Sequence, residues 1–70
     1  MHPATEALLR YFAWDHLPDR LQAVSKPFGD LAQALAETLP AGPETTVALR
    51  KLLESKDCAV RAALDLPGEA

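Results

Sequence analysis

Six prolines fix where helices can start and stop in this 70-residue chain. Pro3 can open a helix, because a proline in the first turn gives up no hydrogen bond. The His16-Leu17-Pro18 step disfavours helix at Leu17 and marks a turn. Pro18 and Asp19 then start a second helix. Leu39-Pro40-Ala41-Gly42-Pro43 forms a tight connection, in which Pro40 stops helix two and Pro43 starts helix three. Asp65-Leu66-Pro67-Gly68 ends helix three. Only Pro27 falls inside an apolar pattern. There the helix either runs on with a kink or restarts with Ser25 as its N-cap. The unbroken apolar phase from Leu21 to Leu35 favours a continuous, kinked helix.

Between these stops the periodicity is helical throughout. Helix one is expected from about Pro3 to Asp15, with Leu8, Leu9, Tyr11 and Phe12 at helical spacing. In helix two, Leu21, Val24, Phe28, Leu31, Leu35 and Thr38 recur at alternating steps of three and four, which defines one face. Helix three carries Val47, Leu49, Leu52, Leu53, Lys56, Ala59, Val60, Ala63 and Leu64. The expected fold is all-α: a short N-terminal helix plus an antiparallel hairpin. Residues 3–64 make one domain and 65–70 a C-terminal tail.

A chain this short is marginal as a monomer, since it buries only about 60% of its unfolded surface. Small domains compensate with disulfides, metals or partners. One cysteine excludes an internal disulfide, and His2, His16 and Cys58 lack ligand spacing. That leaves self-association. A net charge of −3 argues against a nonspecific binder of long nucleic acid. It still permits a small anion held by a few placed cations. Met1-His2-Pro3 lacks a charged leader region, and no apolar run is long enough for a membrane span. The single thiol fits a reducing cytoplasm.

Three of the four aromatics and one of the two histidines crowd into Arg10-Tyr11-Phe12-Ala13-Trp14-Asp15-His16. Tyr11 has two readings: a filler between helices one and two, or a ring that stacks on a nucleobase. Lys26 is a solvated lysine, or a point charge for phosphate beside the backbone disturbed by Pro27. Phe12, Ser25 and Pro27 flank these two. His16 reads as the C-terminal cap of helix one. Arg50, Lys51, Lys56 and Arg61 read mainly as a solvated face, with Glu44–Lys51 and Asp57–Arg61 as pairs. Cys58 reads as a small buried residue. No nucleophile or metal motif occurs, so no enzyme, metal or cofactor is expected.

The string Tyr11-Phe12, His16-Leu17-Pro18, Leu21-Gln22-Ala23-Val24-Ser25-Lys26-Pro27-Phe28, Thr46-Val47-Ala48-Leu49-Arg50-Lys51-Leu52-Leu53-Glu54, Lys56-Asp57 and Ala59-Val60-Arg61-Ala62-Ala63 resembles one family. It is the phage anti-CBASS cyclic-oligonucleotide sponge family, whose hairpin domain recurs in a Thoeris anti-defence sponge. The likeness covers about residues 3 to 64. It implies a compact homohexamer in the cytoplasm of an infected bacterium. It also implies sequestration, without cleavage, of cyclic di- and trinucleotide immune signals. By resemblance, Tyr11 stacks on a base of a cyclic dinucleotide and Lys26 contacts its phosphate, near Phe12, Ser25, Pro27 and His16. Arg61, with Arg50 behind it, corresponds to the cyclic trinucleotide site. The competing readings are an oligomeric helical adaptor that blocks a host protein and a small phosphodiesterase built on His16 and Asp15.

Overall fold

At Pro3, Pro18, Pro40 and Pro43 the computed structural model has the helix boundaries that the sequence predicts. It describes residues 3–65. Helix α1 spans Pro3–Leu9 and tightens into a 3-10 turn over Arg10–Phe12. Helix α2 spans Asp19–Thr38 and α3 spans Pro43–Ala63. No strand occurs among the described residues, so the fold is all-helical with three helices. The tail beyond Asp65 and His2 lie outside the described residues.

Leu39 is extended (φ −89°, ψ 146°), as the clash with the following proline ring requires. Its amide still donates to the Leu35 carbonyl at 2.8 Å, closing the last turn of α2. Pro43 then enters α3 in its first turn. The Thr45 hydroxyl donates to the Pro40 carbonyl at 2.6 Å and fastens the connection. This short link forces α2 to fold back along α3, and α1 packs against both. Helix α2 runs unbroken through Pro27. Pro27 has no amide proton, so the Ala23 carbonyl has no α-helical donor. Ser25 lies inside the helix, so the restart reading does not apply.

Leu8, Phe12, Ala32 and Leu49 form the buried centre, surrounded by Leu9, Phe28, Leu35, Leu52 and Leu53. Burying a leucine completely contributes roughly 1.5–3 kcal/mol, and Leu49 is buried completely. The inner face of α2 differs from the expected one. Ser25 and Ala32 are its innermost side chains, both fully buried, while Leu31 is left 48% exposed. Small residues at these positions let the packed elements approach closely, and leucine is too large for them. In α3, Thr45 is buried, while Val47 and Leu64, both expected on the apolar face, are exposed.

Helix one is also shorter than its periodicity suggests. After Phe12 the chain turns extended at Ala13 (φ −58°, ψ 139°). This turn lays the Trp14 indole over Gly29 of α2. A Cβ on Gly29 would meet Trp14 Cδ1 and the Phe12 carbonyl oxygen, each at 3.0 Å. Gly29 thus makes room for both the turn and the ring. Gln22 closes the loop by donating to the carbonyls of Asp15 (3.1 Å) and Leu17 (2.8 Å).

Candidate functional site

Tyr11 sits at the middle of the 3-10 turn and is 62% exposed. The turn's own closing bond, Ala13 N–H to the Arg10 carbonyl, is long at 3.4 Å. A second anchor comes from α3: the Lys56 ammonium donates to the Tyr11 carbonyl at 2.7 Å. The ring lines an open cavity of about 630 Å³ between α1 and α3, with Ala7, Thr46, Arg50 and Asp57. Among the described residues, Arg50 has no ion-pair partner. An exposed aromatic and an uncommitted guanidinium lining one cavity can stack a planar group and bind an anion.

A second aromatic and a second cation meet elsewhere. The Lys26 ammonium stands 5.4 Å from the centroid of the Trp14 ring. It also pairs with Asp30 at 2.7 Å, with both side chains half exposed. Beside Trp14 opens a cleft of about 420 Å³, lined by Leu9, Asp15, Asp30 and Gln33. Two carboxylates on this cleft make it less hospitable to an anion than the Tyr11 cavity.

The structure therefore brings Tyr11 together with Arg50, and Lys26 together with Trp14. Lys26 is not among the residues that line the Tyr11 cavity. Phe12 is 3% exposed and belongs to the core, so its ring is closed to a ligand. Ser25 is fully buried, and its hydroxyl has no partner among the described residues. Pro27 is exposed on the outer side of α2. Arg61 is exposed and donates to the Cys58 sulfur at 3.4 Å.

Several expectations need correction. His16 caps no helix, because α1 ends before it; it is exposed in the turn ahead of Pro18. Cys58 is exposed, not buried, because the inner face of α3 passes through Lys56 and Ala63. Asp57–Arg61 and Glu44–Lys51 do not form. Lys51 pairs instead with Glu54 at 3.6 Å, and Asp57 lies 4.0 Å from Lys56. Three and four residues bring helical side chains together, but seven spans two turns, so Glu44 and Lys51 are too far apart.

Sequence reasoning did not single out Trp14 or Lys56 as site residues. A signal for Trp14 existed in Gly29, a helix-weakening residue inside a strong helix, which marks a close approach. Lys56 was legible as a lysine on the apolar face of α3. Among the described residues, no cluster of His, Cys, Asp and Glu has the make-up of a metal site. No helix there is long and apolar enough to cross a membrane. No protein-family model, curated protein or solved structure is significantly similar to the chain.

Proposed function

We propose that this chain binds cyclic di- and trinucleotides and holds them without cleaving them. It would thereby withhold second messengers of CBASS-type, and in the neighbouring case Thoeris-type, antiphage immunity inside an infected bacterium. The observation that carries the reading is the Tyr11 cavity. A tyrosine left 62% exposed on an anchored turn is a ready stacking surface. Stacking on one base is worth about 1–3 kcal/mol. Arg50 adds a planar fork suited to a phosphodiester. The volume, about 630 Å³, falls in the range of small-ligand sites.

Lys26 enters this reading as a second contact. Since Lys26 does not line the Tyr11 cavity, a ligand seated there reaches a Lys26 ammonium by bridging to a second copy of the chain. Leu31 and Val47, each 48% exposed, support self-association, and a homohexamer is the assembly the sequence resemblance suggests. Arg61 is the candidate for the cyclic trinucleotide. Sequestration suits a domain this small, because capacity then scales with copy number and no reacting groups need alignment. Ligand held between copies would stabilise the assembly by mass action.

The test is a thermal-shift panel of cyclic di- and trinucleotides, followed by release of bound ligand and its identification by mass. The expected result is a shift of several degrees, with intact ligand recovered and the response lost in Tyr11→Ala. Recovery of a linear product would mean an enzyme. A folded protein that responds to no cyclic nucleotide, yet captures one host protein stoichiometrically, would be the adaptor.

A further inference from the structure

Lys56 is an unusual lysine. Its side chain is only 13% exposed, although it lies on a helix with open solvent on its other side. Lysine is rarely buried without a partner, because removing an ammonium from water is costly. The partner here is backbone, 45 residues away in sequence: the Tyr11 carbonyl, at 2.7 Å. That carbonyl lies near the end of a 3-10 turn, where helical donors run out. The turn closes on itself through a 3.4 Å bond, and the next residue, Ala13, is already extended. That end of the turn is held only weakly by its own bond. On the other side of the ammonium, Asp57 Oδ1 lies 4.0 Å away, and Asp57 lines the Tyr11 cavity.

We infer that Lys56 is a positioning residue for the ligand site: by holding the Tyr11 carbonyl it fixes the turn that presents the ring beside Arg50. This inference rests on the reading of Tyr11 as a ligand-contacting ring. Lys56 does not touch the ligand. It acts on affinity by restricting the ring before binding, so that less conformational freedom is lost on association. A lysine that merely stapled α1 to α3 would change stability alone. A positioning lysine changes affinity through Tyr11.

The experiment compares Lys56→Met, which keeps the apolar stem, with Lys56→Arg, which keeps a charged donor. The probe is cyclic di-adenosine monophosphate, titrated calorimetrically. Amide 15N relaxation at residues 10–13 is recorded in the ligand-free proteins. A charge-assisted hydrogen bond sets the expected loss for Lys56→Met at about tenfold in affinity. Faster motion at residues 10–13 should accompany it, and Lys56→Arg should recover most of both. In a Tyr11→Ala background, Lys56→Met should change affinity by less than about twofold, because its route to the ligand is gone. Penalties that simply multiply in the double variant would overturn the inference, as would wild-type affinity in Lys56→Met. If Lys56→Met does not fold, Lys56→Gln keeps the stem with a neutral donor and takes its place. Should the wild-type protein bind no cyclic nucleotide, the functional reading fails. The relaxation data then decide Lys56 alone: unchanged motion at residues 10–13 overturns its hold on the turn, and increased motion upholds it.

Discussion

Tyr11 and Trp14 lie three residues apart, and the chain treats them oppositely. Trp14 is laid against Gly29 and capped by the Lys26 ammonium at 5.4 Å. Tyr11 is left 62% exposed, with Arg50 lining the same cavity. Each aromatic has a cation, but the two cations differ in what they already hold. Lys26 is paired with Asp30, whereas Arg50 has no ion-pair partner among the described residues. One ring and cation are thus engaged in structure and the other two are available. The contrast separates an aromatic and a cation committed to the fold from an aromatic and a cation that the fold leaves uncommitted.

The sharpest way to break this contrast is to truncate each ring. Trp14→Ala should destabilise the protein by about 2 kcal/mol, less than a fully buried tryptophan because Trp14 is only partly buried. That corresponds to a fall in Tm of roughly 10 °C for a chain this size. Tyr11→Ala should lower Tm by only a degree or two while weakening cyclic-dinucleotide binding by about 1–3 kcal/mol. Equal melting losses in the two variants, read by circular dichroism, would abolish the distinction.

Gly29→Ala probes the same packing from the opposite helix. Alanine gains about 1 kcal/mol in helix propensity over glycine. The added Cβ, however, meets a backbone oxygen at 3.0 Å, and backbone gives way less readily than a side-chain tip. Overpacking typically costs about 1–3 kcal/mol, so the net expectation is a loss near 1 kcal/mol with a red-shifted Trp14 emission. A stabilised variant with unchanged emission would show that the indole is only loosely seated.

Asp30→Asn carries the smallest effect. The pair it removes is half exposed, so stability should fall by at most about 0.5 kcal/mol, and the difference should vanish in high salt. The variant also releases Lys26. If Lys26 is a phosphate contact, Asp30→Asn should bind the cyclic dinucleotide a few-fold more tightly in low-salt titrations. Unchanged affinity would leave Lys26 a purely structural partner of Trp14.

Helix boundaries were legible where a proline set them. Pro3, Pro18, Pro40 and Pro43 act on their own neighbours, and local chemistry is what a sequence displays. The end of α1 was not legible, because nothing in residues 10–15 breaks a helix. Its cause is a tertiary one, the gap that Gly29 leaves on α2. The inner face of α2 was misread for a related reason. Counting large apolar residues favours Leu31 over Ala32, but the closest packing selects small volume, which is why Ser25 and Ala32 are fully buried. Tyr11, Lys26 and Arg50 were each visible as candidates. Which cation lies beside which ring depends on α1 crossing α3, and no spacing within one helix encodes that.

The bond from Lys56 to Tyr11 also has a consequence for the order of assembly. Helices α2 and α3 are joined by a short link, so their pairing closes a small loop at little entropic cost and can form early. The Tyr11 turn must wait for a residue made 45 positions later. On the ribosome, this segment emerges well before its anchor and is therefore fastened late. A nascent or truncated chain without α3 has the tyrosine but neither its anchor nor Arg50. The cavity that Tyr11 lines is complete only once α3 is in place.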